Sequence, residues 1–169
     1  LLRKCNTRSH SELGSQAFLR QWYFVLRHGR VGHCQAYSKM KNLIIVTGGA
    51  GFIGSNLIKS LLKKTNKKII SLDNYSSGKK KNHIKNNRVK YLKAETIDIS
   101  KHLKNSKKKI YSIFHFGEFA RIYQSFKKFD ECFKSNSIGS NAVFKFCLDN
   151  NIKLIYSATS AVLGNKGDD

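Results

Sequence analysis

The sequence predicts an α/β fold built on a doubly wound parallel sheet, and three observations predict it. Five short runs rich in apolar and β-branched residues lie along residues 42–164, helical stretches alternate with these runs, and a glycine-rich segment joins the first run to the first helix. A parallel pair of strands needs a crossover connection long enough for a helix, so this alternation is typical of a parallel sheet covered by helices on its faces.

The five predicted strands differ in how they end. The first is continuously apolar, which is typical of a strand covered on both faces, and it runs directly into the glycines. The second ends at an aspartate. The strands are predicted at residues 42–47, 68–72, 89–92, 113–116 and 154–164. Between the first two, a helix is predicted whose apolar face carries Ile53, Leu57, Ile58, Leu61 and Leu62.

The glycine segment has the spacing of a phosphate-binding turn between a strand and a helix. Gly48 permits a tight turn, Gly51 lets a pyrophosphate approach the backbone, and Gly54 lets the helix pack closely on the strand. The amino terminus of the helix supplies unpaired N–H groups and positive potential. A glycine triplet alone is weak evidence, and its position between a strand and a helix strengthens it.

Asp73 ends the second strand, 19 residues after Gly54. A carboxylate there accepts hydrogen bonds from the adenosine ribose hydroxyls and repels a 2′-phosphate, which favours NAD over NADP. The alternative is a solvated aspartate that begins the turn at Asn74, and the glycine loop upstream argues against it.

Two strings make a family resemblance visible. The segment TGGAGFIGSNL at residues 47–57 and the segment LDNYSSGKK at residues 72–80 are similar to the extended branch of the short-chain dehydrogenase/reductases. Within that branch, the chain resembles the NAD-dependent epimerase/dehydratase family, and UDP-glucose 4-epimerase and its relatives in particular. The resemblance covers nearly all of residues 41–164 and implies a Rossmann-type sheet with strand order 3-2-1-4-5.

The resemblance also implies a binding role for individual residues. Glycine-loop residues would wrap the pyrophosphate, the loop after the second strand would hold the adenosine, and later residues would border the adenine or the nicotinamide. The cofactor-binding residues expected in this way are Gly48, Gly51, Phe52, Ile53, Gly54, Asp73, Asn74, Ser77, Gly78, Glu95, Thr96, Phe116, Gly117, Asn136 and Ser157. Thr159 would be catalytic, with its hydroxyl on the reacting sugar oxygen.

For activity, the resemblance implies a nucleotide-sugar epimerase or dehydratase, with NAD as cofactor and an NDP-sugar, such as a UDP-sugar, as substrate. The reaction would pass through a keto-sugar by transient hydride transfer, and the full-length protein would be a homodimer. The family's Tyr-x-x-x-Lys pair lies on the helix after the fifth strand. Literal matches here are Tyr37 with Lys41, Tyr75 with Lys79, and Tyr123 with Lys127, all before that strand. The chain is therefore expected to be an inactive amino-terminal fragment that ends before the catalytic pair.

Two positions depart from the family pattern. Glu118 stands where a small residue is usual, and Leu163 stands where the family has a tyrosine. A carboxylate close to a pyrophosphate would be repelled, so Glu118 either points away from it or serves substrate chemistry, and the first is expected. These departures support a rival interpretation, a non-catalytic NAD-responsive binding or regulatory protein on the same fold.

A change in composition near Met40 predicts two segments. Residues 1–39 contain five arginines and are expected to be a leader outside the fold, whereas residues 40–169 form the incomplete NAD-binding domain, without the substrate domain. The leader resembles an organelle transit peptide in composition and lacks its amphipathic repeat.

Charge and cysteines exclude several classes. The 32 basic residues outnumber 10 acidic ones, but lysines are spread through every polar stretch, which argues against a specific nucleic-acid partner. Four cysteines form no metal-ligand spacing, and no apolar run is long enough to span a membrane, so a cytoplasmic protein without a metal or membrane partner is expected. His115 and Cys147 are interpreted as core residues, the latter on a helix face with Val143, Phe144 and Leu148.

Overall fold

The computed structural model describes residues 41–158. Its centre is a five-stranded parallel sheet in the order β3-β2-β1-β4-β5, which confirms the predicted fold class. The strands are β1 (Leu43–Thr47), β2 (Lys68–Asp73), β3 (Val89–Lys93), β4 (Ile110–His115) and β5 (Lys153–Tyr156).

Helices connect the strands. In chain order they are α1 (Phe52–Lys64), α2 (Ile99–Leu103), α3 (Ile122–Lys127), α4 (Phe129–Phe133) and α5 (Ser140–Asp149). A π-helical segment, Lys134–Gly139, joins α4 to α5, and a single 3₁₀ turn, Thr96–Asp98, leads into α2.

The core lies on the central strands. All five residues of β1 are buried, because β1 has a hydrogen-bonded neighbour on each side and helices over both faces. One core cluster joins Leu43, Ile45 and Ile113 of the sheet with residues of α2 and α5. This packing fixes the carboxyl ends of β1, β2 and β4 at one edge of the sheet.

Strand boundaries differ from the prediction by more than one residue at two places. β4 begins at Ile110, three residues earlier than expected, because Ile110 is itself fully buried and pairs with Leu43. The fifth strand, expected over residues 154–164, ends at Tyr156, and Ser157 and Ala158 are already irregular. The remaining positions of that prediction, from 159 onward, lie outside the described residues.

Both predicted helix faces need correction. In α1, Ile58 and Leu61 are buried as expected, but Ile53, in the first turn, is 48% exposed. In α5 the buried stripe is Ser140, Val143, Phe146 and Cys147, whereas Leu148 is 82% exposed. The apolar stripe is thus rotated by part of a turn from the one predicted. Cys147 is buried as predicted, and burial raises the pKa of its thiol to about 11.

Within residues 41–158, no helix is long and apolar enough to cross a membrane, and no group of three or more histidine, cysteine or acidic side chains is arranged to hold a metal ion. The expected leader, residues 1–39, and its boundary at Met40 lie outside the described part of the chain.

Candidate dinucleotide-binding cleft

A cleft opens where the carboxyl ends of β1, β2 and β4 meet. The chain leaves β1 towards β2 on one side and returns to β4 on the other, so this is the switch point of the sheet, where ligands of such folds bind. Its volume is about 250 Å³, below the roughly 300–1,000 Å³ of pockets that enclose a drug-sized ligand. Its walls include Gly48, Gly51, Asp73, Asn74, Ser77, Glu95, Thr96, Phe116, Gly117 and Glu118.

The structure gives a different reason for glycine at each of the three predicted positions of the loop. Gly48 has φ +70°, and a Cβ there would lie 2.6 Å from the carbonyl oxygen of Phe116. A Cβ on Gly54 would collide with the Gly48 carbonyl oxygen and lie 2.7 Å from Gly49 Cα, so Gly54 allows α1 to sit directly on the loop. Both are required by the protein's own packing.

Gly51 is different. A Cβ there would touch only the Gly48 carbonyl oxygen, at 3.2 Å, and the backbone of Gly51 is extended, with φ −76° and ψ 174°. Neither packing nor conformation demands glycine at this position. Gly51 lines the cleft and precedes α1, so its missing side chain leaves room for a group outside the protein.

The helix that follows carries no acidic residue in its first turn, which leaves its amino-terminal potential positive. Phe52 and Ile53 form that turn, with their side chains 82% and 48% exposed. Any contact they make with a phosphate would therefore be through backbone N–H groups.

Asp73 joins the two loops that border the cleft. One carboxylate oxygen accepts a hydrogen bond from the Ala50 N–H at 2.9 Å, and the other accepts one from the Tyr75 N–H at 2.8 Å. The side chain is 8% exposed. Each oxygen keeps a second acceptor site, so the same carboxylate can organise the loops and receive ribose hydroxyls.

The loop after β2 folds over the glycine loop. The Ala50 carbonyl oxygen accepts hydrogen bonds from the Lys79 N–H at 3.1 Å and from the Asn82 amide at 2.7 Å. Asn74 and Ser77 line the cleft. Gly78 does not line it: a Cβ there would lie 2.9 Å from both Ala50 Cβ and an Asp73 carboxylate oxygen, so its smallness serves packing.

The expected adenine edge contains an ion pair. Glu95 Oε2 lies 2.7 Å from Lys134 Nζ, and this hydrogen bond raises the lysine's pKa. Both residues line the cleft, and Lys134 begins the π-helical segment. Thr96 also lines the cleft, and a Cβ on Gly139 would collide with its hydroxyl oxygen, so Gly139 brings the π-helical segment against Thr96.

Asn136 holds the segment after β4. Its Oδ1 accepts from the Phe119 N–H at 2.6 Å, and its amide donates to the Phe119 carbonyl at 2.9 Å. The cleft is lined by its neighbours Lys134 and Ser135 and by Phe119, but not by Asn136. A direct cofactor contact for Asn136 stays a prediction, and its visible role is to position Phe119.

On the β4 side, Thr47 and His115 form a buried polar pair. Thr47 Oγ1 accepts hydrogen bonds from the N–H groups of Phe116 at 3.1 Å and Gly117 at 3.0 Å, and it lies 2.6 Å from His115 Nδ1. With both lone pairs used, the hydroxyl donates to Nδ1, so the proton of the imidazole is on Nε2. Burial lowers the pKa of His115, and the charge of Glu118 opposes that change. His115 is fully buried, which confirms its interpretation as a hydrogen-bonded core residue.

The chain of hydrogen bonds continues to the cleft wall. His115 Nε2 lies 2.9 Å from Ser140 Oγ, Ser140 donates to Glu118 Oε1 at 2.8 Å, and the Tyr156 hydroxyl donates to the same oxygen at 2.8 Å. This hydrogen bond to Glu118, together with burial and the carboxylate's charge, raises the pKa of Tyr156, so its phenol remains a donor. Glu118 lines the cleft while one of its oxygens is held against α5 and β5.

Residues expected near the nicotinamide are only partly described. Phe116 and Gly117 line the cleft, whereas Ser157 does not line it, and its N–H donates a 3.4 Å hydrogen bond to the His115 carbonyl. Thr159 and Leu163 lie outside the described residues. Of the tyrosine-lysine matches, Tyr75 bonds His83 through its hydroxyl, and Tyr123 and Lys127 lie on α3, so both precede β5.

Several contacts of the site were not predicted. Glu118 was expected to point away from the pyrophosphate, but its hydrogen bonds to Ser140 and Tyr156 were missed. Glu118 and Tyr156 follow or end neighbouring parallel strands, β4 and β5, and that topology could have placed them together. Nothing in the spacing marks Ser140, Asn82 or Lys134, because their contacts depend on the packing of α5, the loop after β2 and the π-helical segment.

Comparison with known proteins agrees with the family resemblance of the sequence. The model of the NAD dependent epimerase/dehydratase family matches residues 44–169. The chain belongs to this family. It is 33% identical over 129 residues to ADP-L-glycero-D-manno-heptose-6-epimerase of Brachyspira hyodysenteriae, a match that covers 73% of this chain and 39% of the relative.

Solved structures of family members superpose on the described fold. UDP-glucose 4-epimerase of Thermotoga maritima, solved with UDP-glucose, has a TM-score of 0.62 and 29% identity, over 69% of this chain and 38% of that one. The UDP-Glc/GlcNAc 4-epimerase of Campylobacter jejuni has a TM-score of 0.64 and 27% identity, over 73% and 39%. UDP-glucose 4-epimerase of Thermus thermophilus, in complex with NAD, has a TM-score of 0.61 and 26% identity, over 69% and 37%. The chain thus spans well under half the length of these relatives.

Proposed function

We propose that the cleft binds NAD and that this chain supplies the cofactor-binding part of an epimerase or dehydratase that acts on a nucleotide sugar. The observation that carries the proposal is Gly51, a glycine that neither backbone conformation nor packing requires, which lines a cleft at the amino terminus of a helix. Such a position is where a pyrophosphate approaches the backbone in dinucleotide-binding folds.

Each half of the cleft has a task in this proposal. The N–H groups at the start of α1 and the loop of Gly48, Gly51 and Gly54 receive the pyrophosphate. Asp73 accepts the adenosine ribose hydroxyls, with Asn74, Ser77 and Gly78 shaping that end. Glu95 and Thr96 border the adenine, while Phe116 and Gly117 border the path towards β5, where Ser157 and Thr159 follow.

Bound NAD would supply a reversible hydride acceptor, so that a ring carbon of the sugar is oxidised to a ketone and then reduced again, or reduced after loss of water. The chain's own contribution is to bind, to orient and to exclude water. Thr159 would hydrogen-bond the reacting sugar oxygen, but a threonine hydroxyl is too weak a base to remove its proton near neutral pH. The base in this proposal is the family's Tyr-x-x-x-Lys pair, and no tyrosine follows Tyr156 in the 169 residues.

The substrate class rests on the relatives. Three of the similar enzymes are named for UDP-sugars and one for an ADP-heptose, so an NDP-sugar is proposed here without choosing the nucleotide or the sugar. A homodimer of the full-length protein and the absence of a specific nucleic-acid partner are proposed with it.

A second candidate function is NAD-responsive regulation without turnover. Its support is Glu118, an acid at a position where the family has a small residue, tied to Tyr156 and Ser140 at the cleft wall. Fold alone does not decide between catalysis and binding. Turnover by a chain extended through the helix after β5 would rule out the regulatory alternative.

Calorimetric titration of the chain with NAD and, separately, with NADP tests the proposal. We expect NAD to bind and NADP to bind more weakly, because Asp73 repels a 2′-phosphate. Circular dichroism on the same sample establishes that the chain is folded. If the folded chain binds neither dinucleotide, the proposed function is wrong.

A further inference from the structure

The unusual acid of the cleft, Glu118, is the end point of a directed hydrogen-bond chain. Because two backbone N–H groups occupy the lone pairs of Thr47 Oγ1, the threonine must donate to His115, the imidazole must donate to Ser140, and Ser140 must donate to Glu118. Each hydrogen bond of this series donates its proton in the direction of the Glu118 carboxylate. Tyr156 adds a second donor to the same oxygen.

This arrangement fixes the place of the Glu118 carboxylate. Hydrogen bonds to a charged acceptor are stronger than those between neutral groups. The other carboxylate oxygen accepts no hydrogen bond from the residues that the structure describes. A fixed charge thus stands at the cleft wall with acceptor capacity to spare.

The topology determines which half of a dinucleotide this charge would face. Asp73, at the end of β2, marks the adenosine side, and a dinucleotide crosses the switch point to the opposite half of the sheet. Glu118 follows β4 and is bonded to Tyr156 at the end of β5. It therefore stands on the nicotinamide side of the cleft.

We propose that Glu118 sets the oxidation-state preference of the bound cofactor, by favouring the cationic nicotinamide of NAD⁺ over the neutral ring of NADH. The inference rests on the proposed function, since it requires that NAD binds in this cleft. A small residue at position 118, as is usual in the family, carries no such charge. Opposite charges about 6 Å apart at an effective dielectric constant of about 40 change a binding ratio about tenfold.

The test compares the affinities of NAD⁺ and NADH for the chain and for Glu118→Gln, measured by calorimetry. Glutamine keeps an amide oxygen that accepts from Ser140 and Tyr156 and removes only the charge. We expect the ratio of NAD⁺ affinity to NADH affinity to fall about tenfold in Glu118→Gln. Glu118→Asp, which keeps the charge, should retain most of the preference.

Asp149→Asn is the matched control. Asp149 is exposed at the end of α5 and does not line the cleft, so the variant loses the same charge outside the proposed binding site. Its affinity ratio should equal that of the unchanged chain.

The outcomes separate the two proposals. An unchanged ratio in Glu118→Gln, or a fall of both affinities by one factor, overturns the role of Glu118 while NAD binding stands. An equal fall of the ratio in Asp149→Asn would also overturn it, because the effect would then be one of overall charge. If the unchanged chain binds neither form, the proposed function fails and this inference fails with it.

Discussion

At the scale of single residues, substitutions in the glycine loop can distinguish a glycine required for folding from a glycine proposed to be required for binding. Gly51→Ala should leave the free energy of unfolding within about 0.5 kcal/mol, since its backbone is extended and an added Cβ would meet a single atom, the Gly48 carbonyl oxygen at 3.2 Å. The added methyl group would occupy the space proposed for the pyrophosphate. NAD affinity measured by calorimetry should fall tenfold or more.

Gly48→Ala is the matched contrast. Its backbone has φ +70°, and the added Cβ would lie 2.6 Å from a carbonyl oxygen, so the variant should lose about 1–3 kcal/mol of stability or fail to fold. Equal NAD affinity of Gly51→Ala and the unchanged chain would contradict the pyrophosphate assignment.

Asp73 is expected to affect both NAD binding and the stability of the two loops, so a single substitution cannot separate these effects. Asp73→Ala should weaken NAD binding by about 1–3 kcal/mol through lost charge-assisted hydrogen bonds, and it should also lower the thermal midpoint because the N–H groups of Ala50 and Tyr75 lose their acceptors. Asp73→Asn retains one amide oxygen and removes the charge. It should narrow the difference between NAD and NADP affinities, measured by calorimetry.

An NAD affinity unaltered in both Asp73 variants would remove this residue from the binding site. If NAD affinity falls in the Asp73 variants but the difference between NAD and NADP affinities does not change, Asp73 only organises the two loops.

The positions of Gly48 and Asp73 beside the cleft could be predicted from the sequence, and their binding roles stay predictions. Asp73 lies at the end of a strand and Gly48 lies in a tight turn. The spacing of residues along the sequence predicts both kinds of position. The Glu118 network was not predictable in the same way. Its members come from β1, β4, α5 and β5, and each has a partner only after the sheet and α5 have packed together.

At the scale of elements, α5 offers a direct test of which face is buried. Phe146 is 5% exposed and belongs to the core cluster, whereas Leu148 is 82% exposed. Phe146→Ala should therefore cost about 3 kcal/mol or more of unfolding free energy, while Leu148→Ala should cost less than about 0.5 kcal/mol. Urea denaturation measures both.

Comparable losses in these two variants would contradict the placement of α5, because Leu148 would then be as deeply buried as Phe146. The prediction failed here for a physical reason. Both faces of α5 carry apolar residues, so helical spacing alone could not choose between Phe146 and Leu148.

The strands were predicted more closely than the helix faces. A strand in the middle of a parallel sheet is apolar along its whole length, and β1 and β2 met their expected positions within a residue. The fifth strand was expected to be longer than it is, since Ser157 and Ala158 no longer pair as a strand although the string remains apolar or small beyond them.

At the scale of the whole chain, we expect no epimerase or dehydratase turnover from these 169 residues, even with saturating NAD and nucleotide sugars. The tyrosine-lysine matches on described elements lie before β5, and Tyr156 is held as a donor to Glu118 and has a serine, Ser160, four residues on. A coupled assay of UDP-sugar interconversion measures this. Turnover with host enzyme excluded would place the base within the chain and contradict the proposed mechanism.

Deleting residues 1–39 is the other test at this scale. Their composition differs from that of the rest, and we expect the remaining chain to be at least as stable. The thermal midpoint before and after deletion measures the effect. A drop of many degrees would show that this segment belongs to the fold.

The peptide units on either side of Ala50 tie the glycine loop to the loop after β2. Its N–H is bonded to Asp73 and its carbonyl to Lys79 and Asn82, and the residue is fully buried. Neither loop can move without breaking these bonds, so the end of the cleft proposed for adenosine is shaped when the chain folds. A nucleotide bound there would not have to order these two loops. More of the free energy of its contacts with the protein would therefore contribute to affinity.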